Sequence, residues 1–390
     1  MNSMNPQKSL RSNSPQRRKR MFATRPKKLP HNSQLTDSWW LRLDRGVSFA
    51  IRAALAFLGM LLIVCADMRS ANATVFCGNS AASIQVSLSA TQSNNEDDEV
   101  RIAAGQYLLS TPLIYQSTQA HSITISGGWN ANCTSFNGAA TVLNGQSTVR
   151  PLFILASGGG GVNVSWLTFS YGVETNNGGG GLYVSTDSGA ITIDLNRFSF
   201  NHATNLGGGL NAYSLSGELR VRGNVAFGNS AASGGGFELT SYAANSYVIG
   251  NTIVGNSSAD STGGGGLYLA GVYFWLSNNI VWNNNANSAV DMRAAAPHAR
   301  IDNDIGSSSS NAADPLHNVG NINVNPGFAS CALLCQDFEL LPTSALVNAG
   351  ENAPVGGALD SDLNLGGRAI GTHADIGAFE SDVLLRNGFD

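Results

Sequence analysis

Four Asn-x4-Asn pairs set the frame of this chain. They are Asn196 with Asn201, Asn224 with Asn229, Asn251 with Asn256 and Asn279 with Asn284, offset from one another by 28, 27 and 28 residues. Self-similarity at such a period means stacked supersecondary units, each unable to bury its apolar face alone. Four glycine clusters run in step with the pairs, at Gly178–Gly181, Gly207–Gly209, Gly234–Gly236 and Gly263–Gly266. A short apolar run follows each: Leu182-Tyr-Val184, Leu210-Asn-Ala212, Phe237-Glu-Leu239 and Leu267-Tyr-Leu269. Ser165 and Ser170 hold the matching places one repeat earlier, as a degenerate fifth copy.

The first asparagine of each pair serves as a register mark. Five residues before it stand Ile191, Leu219, Ser246 and Phe274; three before, Ile193, Val221, Val248 and Leu276; two after, Phe198, Ala226, Ile253 and Val281. These mostly apolar rows fit inward positions on short strands, whose side chains alternate with period two. Coils stacked at about 4.8 Å would build a continuous core. The asparagines would then align in columns, each amide bonding up and down the stack. The glycine clusters are expected at sharp corners that need positive φ. The fold class expected is all-β: a single-stranded right-handed parallel β-helix (solenoid) with a small C-terminal module.

Charge divides the chain. Of 22 Lys+Arg and 26 Asp+Glu, residues 1–73 hold 13 basic and 3 acidic, which leaves 9 − 23 = −14 for the rest. Every lysine lies before residue 29. An acidic, lysine-free body argues against nucleic acid and anionic lipid as partners. Ala53–Ala66 is a continuous apolar run, short for a membrane span, preceded by Arg42, Arg45 and Arg52 and followed by Ala71-Asn-Ala73. Residues 1–73 are therefore read as a signal peptide with an extended basic n-region, cleaved near Ala73. The product is a secreted or outer-surface protein with no transmembrane segment in the mature chain. Export leaves four cysteines, Cys77, Cys133, Cys331 and Cys335. Three pairings are open, and Cys77–Cys133 with Cys331–Cys335 is the simplest.

Three family resemblances follow. Ile102-Ala-Ala-Gly105-Gln-Tyr107 and Ile125-Ser-Gly-Gly-Trp129-Asn-Ala-Asn-Cys133 resemble the opening coils of secreted bacterial pectin-lyase-like β-helix proteins. The alternation of Gly-Gly-aliphatic turns with Phe198-Ser-Phe-Asn201 is similar to the repeat of polymorphic outer membrane proteins. Later copies depart from it: Ala226-Phe-Gly-Asn229, Ile253-Val-Gly-Asn256 and Val281-Trp-Asn-Asn284. At the C-terminal end, Asp337-Phe-Glu-Leu340, Ser344-Ala-Leu-Val-Asn-Ala-Gly350, Asp362 to Gly367-Arg368, and Asp375-Ile-Gly-Ala-Phe-Glu380 resemble the choice-of-anchor Q family of exported bacterial β-helix proteins. With the repeats, these resemblances imply a β-helix over 74–330 and a module over 331–380 that caps it or directs sorting; Leu384-Leu-Arg-Asn-Gly-Phe-Asp390 resembles a terminal signature of exported Gram-negative proteins and implies a sorting-like tail over 381–390.

Chemistry is thinly marked. A glycoside hydrolase needs two carboxyls about 5–9.5 Å apart. The regular coils carry only Asp187, Asp194, Glu218, Glu238 and Asp260, none in an Asp-Asp pair. Asp194 and Arg222 share an outward row one coil apart and read as a surface ion pair. Asp360-Ser-Asp362-Leu-Asn364 has the spacing of a calcium-loop start but lacks the glycine and the terminal glutamate, so a turn is the favoured reading. No cofactor or metal site is indicated. One outward row, Arg220, Tyr247 and Trp275 after Thr192, joins aromatic rings with a guanidinium and is the candidate ligand-binding surface; ordinary ladder stacking, or cover by a loop, is the bland alternative. The preferred function is a non-catalytic secreted or surface protein, an adhesin or glycan-binding stalk, monomeric, with a polysaccharide or cell-surface glycan as partner. The alternatives are a polysaccharide lyase or glycoside hydrolase, and a purely structural surface protein.

Overall fold

The computed structural model describes residues 73–381, apart from 244, 261–262, 288–289, 297, 303, 305–307, 311–316, 330–337 and 369. The leader, the Cys331–Cys335 pairing and the terminal tail lie outside the described residues. The chain makes about eight turns of a parallel β-solenoid. Short strands pair in register with their counterparts one repeat away, forming a ten-stranded, an eight-stranded, a seven-stranded and a narrow five-stranded sheet.

Register follows the residue rows. On the ten-stranded sheet, strand Ile191–Asp194 pairs with strand Leu219–Arg222, which sets Ile191 beside Leu219 and Ile193 beside Val221. All three inward rows are buried, and they belong to one core running from Ile84 to Ile301. Phe169 and Phe198, one rung apart, stack within it at 5.1 Å.

Both asparagine columns are buried ladders. Asn196 Nδ2 donates to Asn224 Oδ1 (3.1 Å), Asn224 Nδ2 to Asn251 Oδ1 (3.0 Å) and Asn251 Nδ2 to Asn279 Oδ1 (2.9 Å). The second column repeats this from Asn201 through Asn229 and Asn256 to Asn284, each step 2.9 Å. Each Oδ1 also accepts the backbone N–H of the preceding asparagine, as Asn251 Oδ1 does from Asn224. Each Nδ2 also reaches a carbonyl on the rung before, Val221 O in the case of Asn251. No donor in the column is left over, which is the condition for burying amides cheaply.

The corners differ from expectation. Positive φ falls on the residue preceding each asparagine: Leu195, Gly223, Gly250 and Asn278 in one column, Phe200, Gly228, Gly255 and Asn283 in the other. The glycine clusters answer chiefly to crowding. A Cβ on Gly235 would lie 2.2 Å from Ser257 O and 2.4 Å from Gly265 O, so adjacent rungs stack there backbone to backbone. Positive φ within the clusters is confined to Gly179, Gly207 and Gly234.

A helix, α1 (Ala81–Ala90), is absent from the sequence reading. Ser80 caps it: Ser80 Oγ accepts from Ser83 N–H, and Ser83 Oγ accepts in return from Ser80 N–H. Its buried Ile84 and Leu88 pack beside strands Thr74–Gly78 and Leu113–Ser117, the terminal strands of two sheets. The helix thus closes the N-terminal end of the core. Beside it, Cys77 and Cys133 form a disulfide spanning 56 residues.

The C-terminal segment lies along the flank of the solenoid, where the sequence reading allowed for a cap on its end. It touches five successive corners. Leu365 lies against Gly138 near Trp166 and Leu195, Leu359 against Gly223, Arg368 against Gly250, and Gly377 N–H donates to Asn278 O. A second core forms there, from outward Val225, Phe227, Val254 and Ile280 with Phe338, Leu340, Leu346, Ile376, Ala378 and Phe379. Acidic and basic residues of this segment form its internal frame. Asp362 accepts backbone N–H groups from Asn364, Gly366 and Glu380. Arg368 donates to Gly377 O and Asp375 O.

Candidate functional site

The outward row of the ten-stranded sheet forms as register requires. Pairing sets Thr192 beside Arg220, Arg220 beside Tyr247, Tyr247 beside Trp275 and Trp275 beside Arg300. Thr124 and Asn163 continue it toward the N-terminus, joined by a 3.3 Å side-chain bond. Every member from Thr124 to Arg300 is half-buried. The row alternates charge and ring: the Arg220 guanidinium lies 5.9 Å from the Tyr247 ring, and that of Arg300 lies 5.3 Å from the Trp275 ring. Each guanidinium has a neighbouring carboxylate, Glu218 for Arg220 and Asp302 for Arg300, so the row is near neutral. Trp275 Nε1 reaches Asn245 Oδ1 at 3.4 Å. Burial raises the Tyr247 phenol above its ordinary value, and Glu218 adds to this.

Tyr247 is not wholly open. The backbone of Gly356 lies flush on its ring, where a Cβ would come within 2.3 Å of Cδ1. The flanking segment therefore borders the row. Between that segment and the solenoid corners is a cavity of about 200 Å³, lined by Gly250, Asn278, Glu351, Asp360 and Arg368 among others. Sequence reasoning missed this cleft, since its walls are about a hundred residues apart in the chain. A signal for its bed was present. Val225-Ala-Phe227 and Ile280-Val-Trp282 are apolar at both outward positions and Thr252-Ile-Val254 at one, whereas Arg197-Phe-Ser199 alternates; unbroken apolar runs mark strands covered on both faces.

Asp194 and Arg222 do pair across the stack, through two bonds of 3.1 and 2.6 Å. The pair is less exposed than a surface bridge: its side chains retain 14% and 16% exposure, and Arg222 also reaches Gly357 O in the flanking segment. Burial pushes the Asp194 carboxyl up against the opposing pull of Arg222. Asp362, the centre of the calcium-like motif, is the hub of a turn. A further ion pair, Arg150 with Glu174 at 2.7 Å, is also buried, and Arg150 donates to Gly179 O and Gly178 O. It fixes a glycine cluster from outside the repeat frame.

Glu238 is the other carboxyl of note. It faces outward on the eight-stranded sheet in register with Asn211 and Tyr268, yet retains only 4% exposure. Burial pushes it up to about 7, partly offset by a 2.8 Å bond from Thr240 Oγ1. No family model matches the chain, and no curated protein or solved structure matches it.

Proposed function

We propose that this is an exported, non-catalytic β-helix protein of the pectin-lyase-like kind, with a choice-of-anchor-Q-like flank, that binds a glycan along the row from Arg220 to Trp275. The observation that carries the reading is the in-register Arg220–Tyr247–Trp275–Arg300 row beside a cleft of mixed polar and apolar lining. Aromatic rings give a sugar apolar surface, and neighbouring guanidinium and amide groups give it hydrogen-bond donors. The rung spacing of about 4.8 Å repeats this offer along an extended chain. Near neutrality of the row favours uncharged saccharides. A glycan array with the mature protein tests the idea. Trp275→Ala and Tyr247→Ala should each weaken binding about tenfold or more, in line with loss of a stacking anchor; binding that survives both changes removes this row from consideration.

One observation favours catalysis as a second reading. A carboxyl held near 7 suits a general acid at neutral pH, and Glu238 is such a group. That reading expects release of reducing ends or unsaturated products from a polysaccharide and their loss in Glu238→Gln. The binding reading expects no product from either protein.

A further inference from the structure

The first asparagine ladder does not stop at Asn279. On the next rung its place is taken by Asp304, and on the following one by Asn321. Asp304 Oδ1 accepts both the N–H and the Nδ2–H of Asn279. Asp304 N–H donates to Asn321 Oδ1 at 2.8 Å, and Asn321 Nδ2 donates to Ile301 O at 2.8 Å. The column thus continues in register, with one carboxyl where an amide is due.

The difference lies at the second carboxyl oxygen. Register puts Asp304 Oδ2 in the place of an Nδ2, which in Asn196, Asn224 and Asn251 donates both to a carbonyl of the rung before and to Oδ1 of the rung after. Asp304 Oδ2 is buried and has no hydrogen-bond partner. An ionised oxygen has no proton to give in an environment built of acceptors, whereas a carboxylic acid has one O–H to donate. The charged neighbours do not favour ionisation. Asp302, the last residue of the strand that precedes Asp304, is bound to Arg300 and still repels a charge on Asp304. Glu351, from the flanking segment, reaches the rung above at Ser277. Asn279 and Asn321, directly above and below, carry no charge.

We propose that Asp304 is held as a neutral carboxylic acid whose Oδ2–H stands in for an asparagine Nδ2–H, so that the link between the rungs of Asn279 and Asn321 depends on a proton. Burial pushes this carboxyl up to about 8 against the two hydrogen bonds from Asn279, which favour the charged form, and Asp302 adds to the rise. The sign follows from the raised value. The unfolded carboxyl ionises near 3.9, so the stabilisation is full below that, declines as pH rises, and is gone above about 8, where the folded group itself ionises.

Hydrogen exchange and infrared spectroscopy on the full chain test this. Amide protection factors at Asn279 and Asp304 should fall by up to about tenfold per pH unit between about pH 5 and 8, more steeply than those at Asn196 and Asn224. Asp304→Asn supplies an Nδ2–H at every pH and should abolish that excess. The protonated-carboxyl infrared absorption of the native protein at about pH 6, to which Glu238 also contributes, should lose in Asp304→Asn the component that titrates last, near pH 8. Equal pH dependence in the two proteins overturns the proposal, and so does a native spectrum lacking that component. Should the variant not fold, a protonated-carboxyl component that titrates near pH 8 and persists in Glu238→Gln decides alone.

Discussion

Ser246 is the polar exception in an inward row otherwise made of Ile191, Leu219 and Phe274, and its buried hydroxyl has no partner. Replacing it with valine removes an uncompensated polar group and adds apolar contact. Ser246→Val is expected to raise stability by about 1–2 kcal/mol, read as a higher urea midpoint at unchanged slope; a lower midpoint would show that the pocket cannot take the extra methyl. The ladder asparagines behave oppositely. Asn251→Leu leaves the N–H and the Nδ2–H of Asn224 without their acceptor in a buried column. It should cost about 3 kcal/mol or more, measurable by the same denaturation. At this scale the sequence was an open text, because spacing alone aligned Asn196, Asn224, Asn251 and Asn279. What it concealed was the neighbouring residue. Leu195 and Phe200 take positive φ despite bulky side chains, and nothing in a leucine or a phenylalanine announces that.

Among the elements, the strands were legible and the two closures were not. Helix α1 is only ten residues long, and its cue is a Ser80/Ser83 box inside a serine-rich stretch. The flanking segment could be recognised by motif, but its seat on the outward face of Val225, Phe227 and Val254 required knowing which apolar residues the solenoid leaves outside. Ile376 is fully buried in that second core. Ile376→Asp should release the segment while the solenoid persists: proteolysis within 338–381 should accelerate, with the β-sheet circular dichroism retained. Simultaneous loss of both would mean that the segment is integral to the stack. Cys77–Cys133 closes the opposite end. Its reduction should lower stability by up to about 4 kcal/mol on the loop-entropy estimate, seen as a lower melting temperature with dithiothreitol; Cys77→Ser with Cys133→Ser should melt at that lower temperature with or without reductant.

For the molecule as a whole, buried acids set the response to pH. Asp304 and Glu238 are pushed up to about 8 and about 7, and burial raises Asp98, Asp194 and Asp375 as well. Glu174 moves the other way, helped by backbone amides and Arg150. The raised groups hold protons in the folded state that the unfolded chain has released, so stability should fall as pH rises from about 4 to about 8. Thermal melts across that range check this; a flat profile, or one that climbs toward neutrality, contradicts it. The ladders carry one more consequence. Every asparagine gives its amide to the rung after and receives from the rung before in the same geometry, so the chain is editable in whole units. Excising residues 224–250, one 251 − 224 = 27-residue period, would bring Asn251 into the seat of Asn224, ready to accept from Asn196. A shorter protein of the same kind should result, whereas removing a few residues more or fewer would leave both columns out of step.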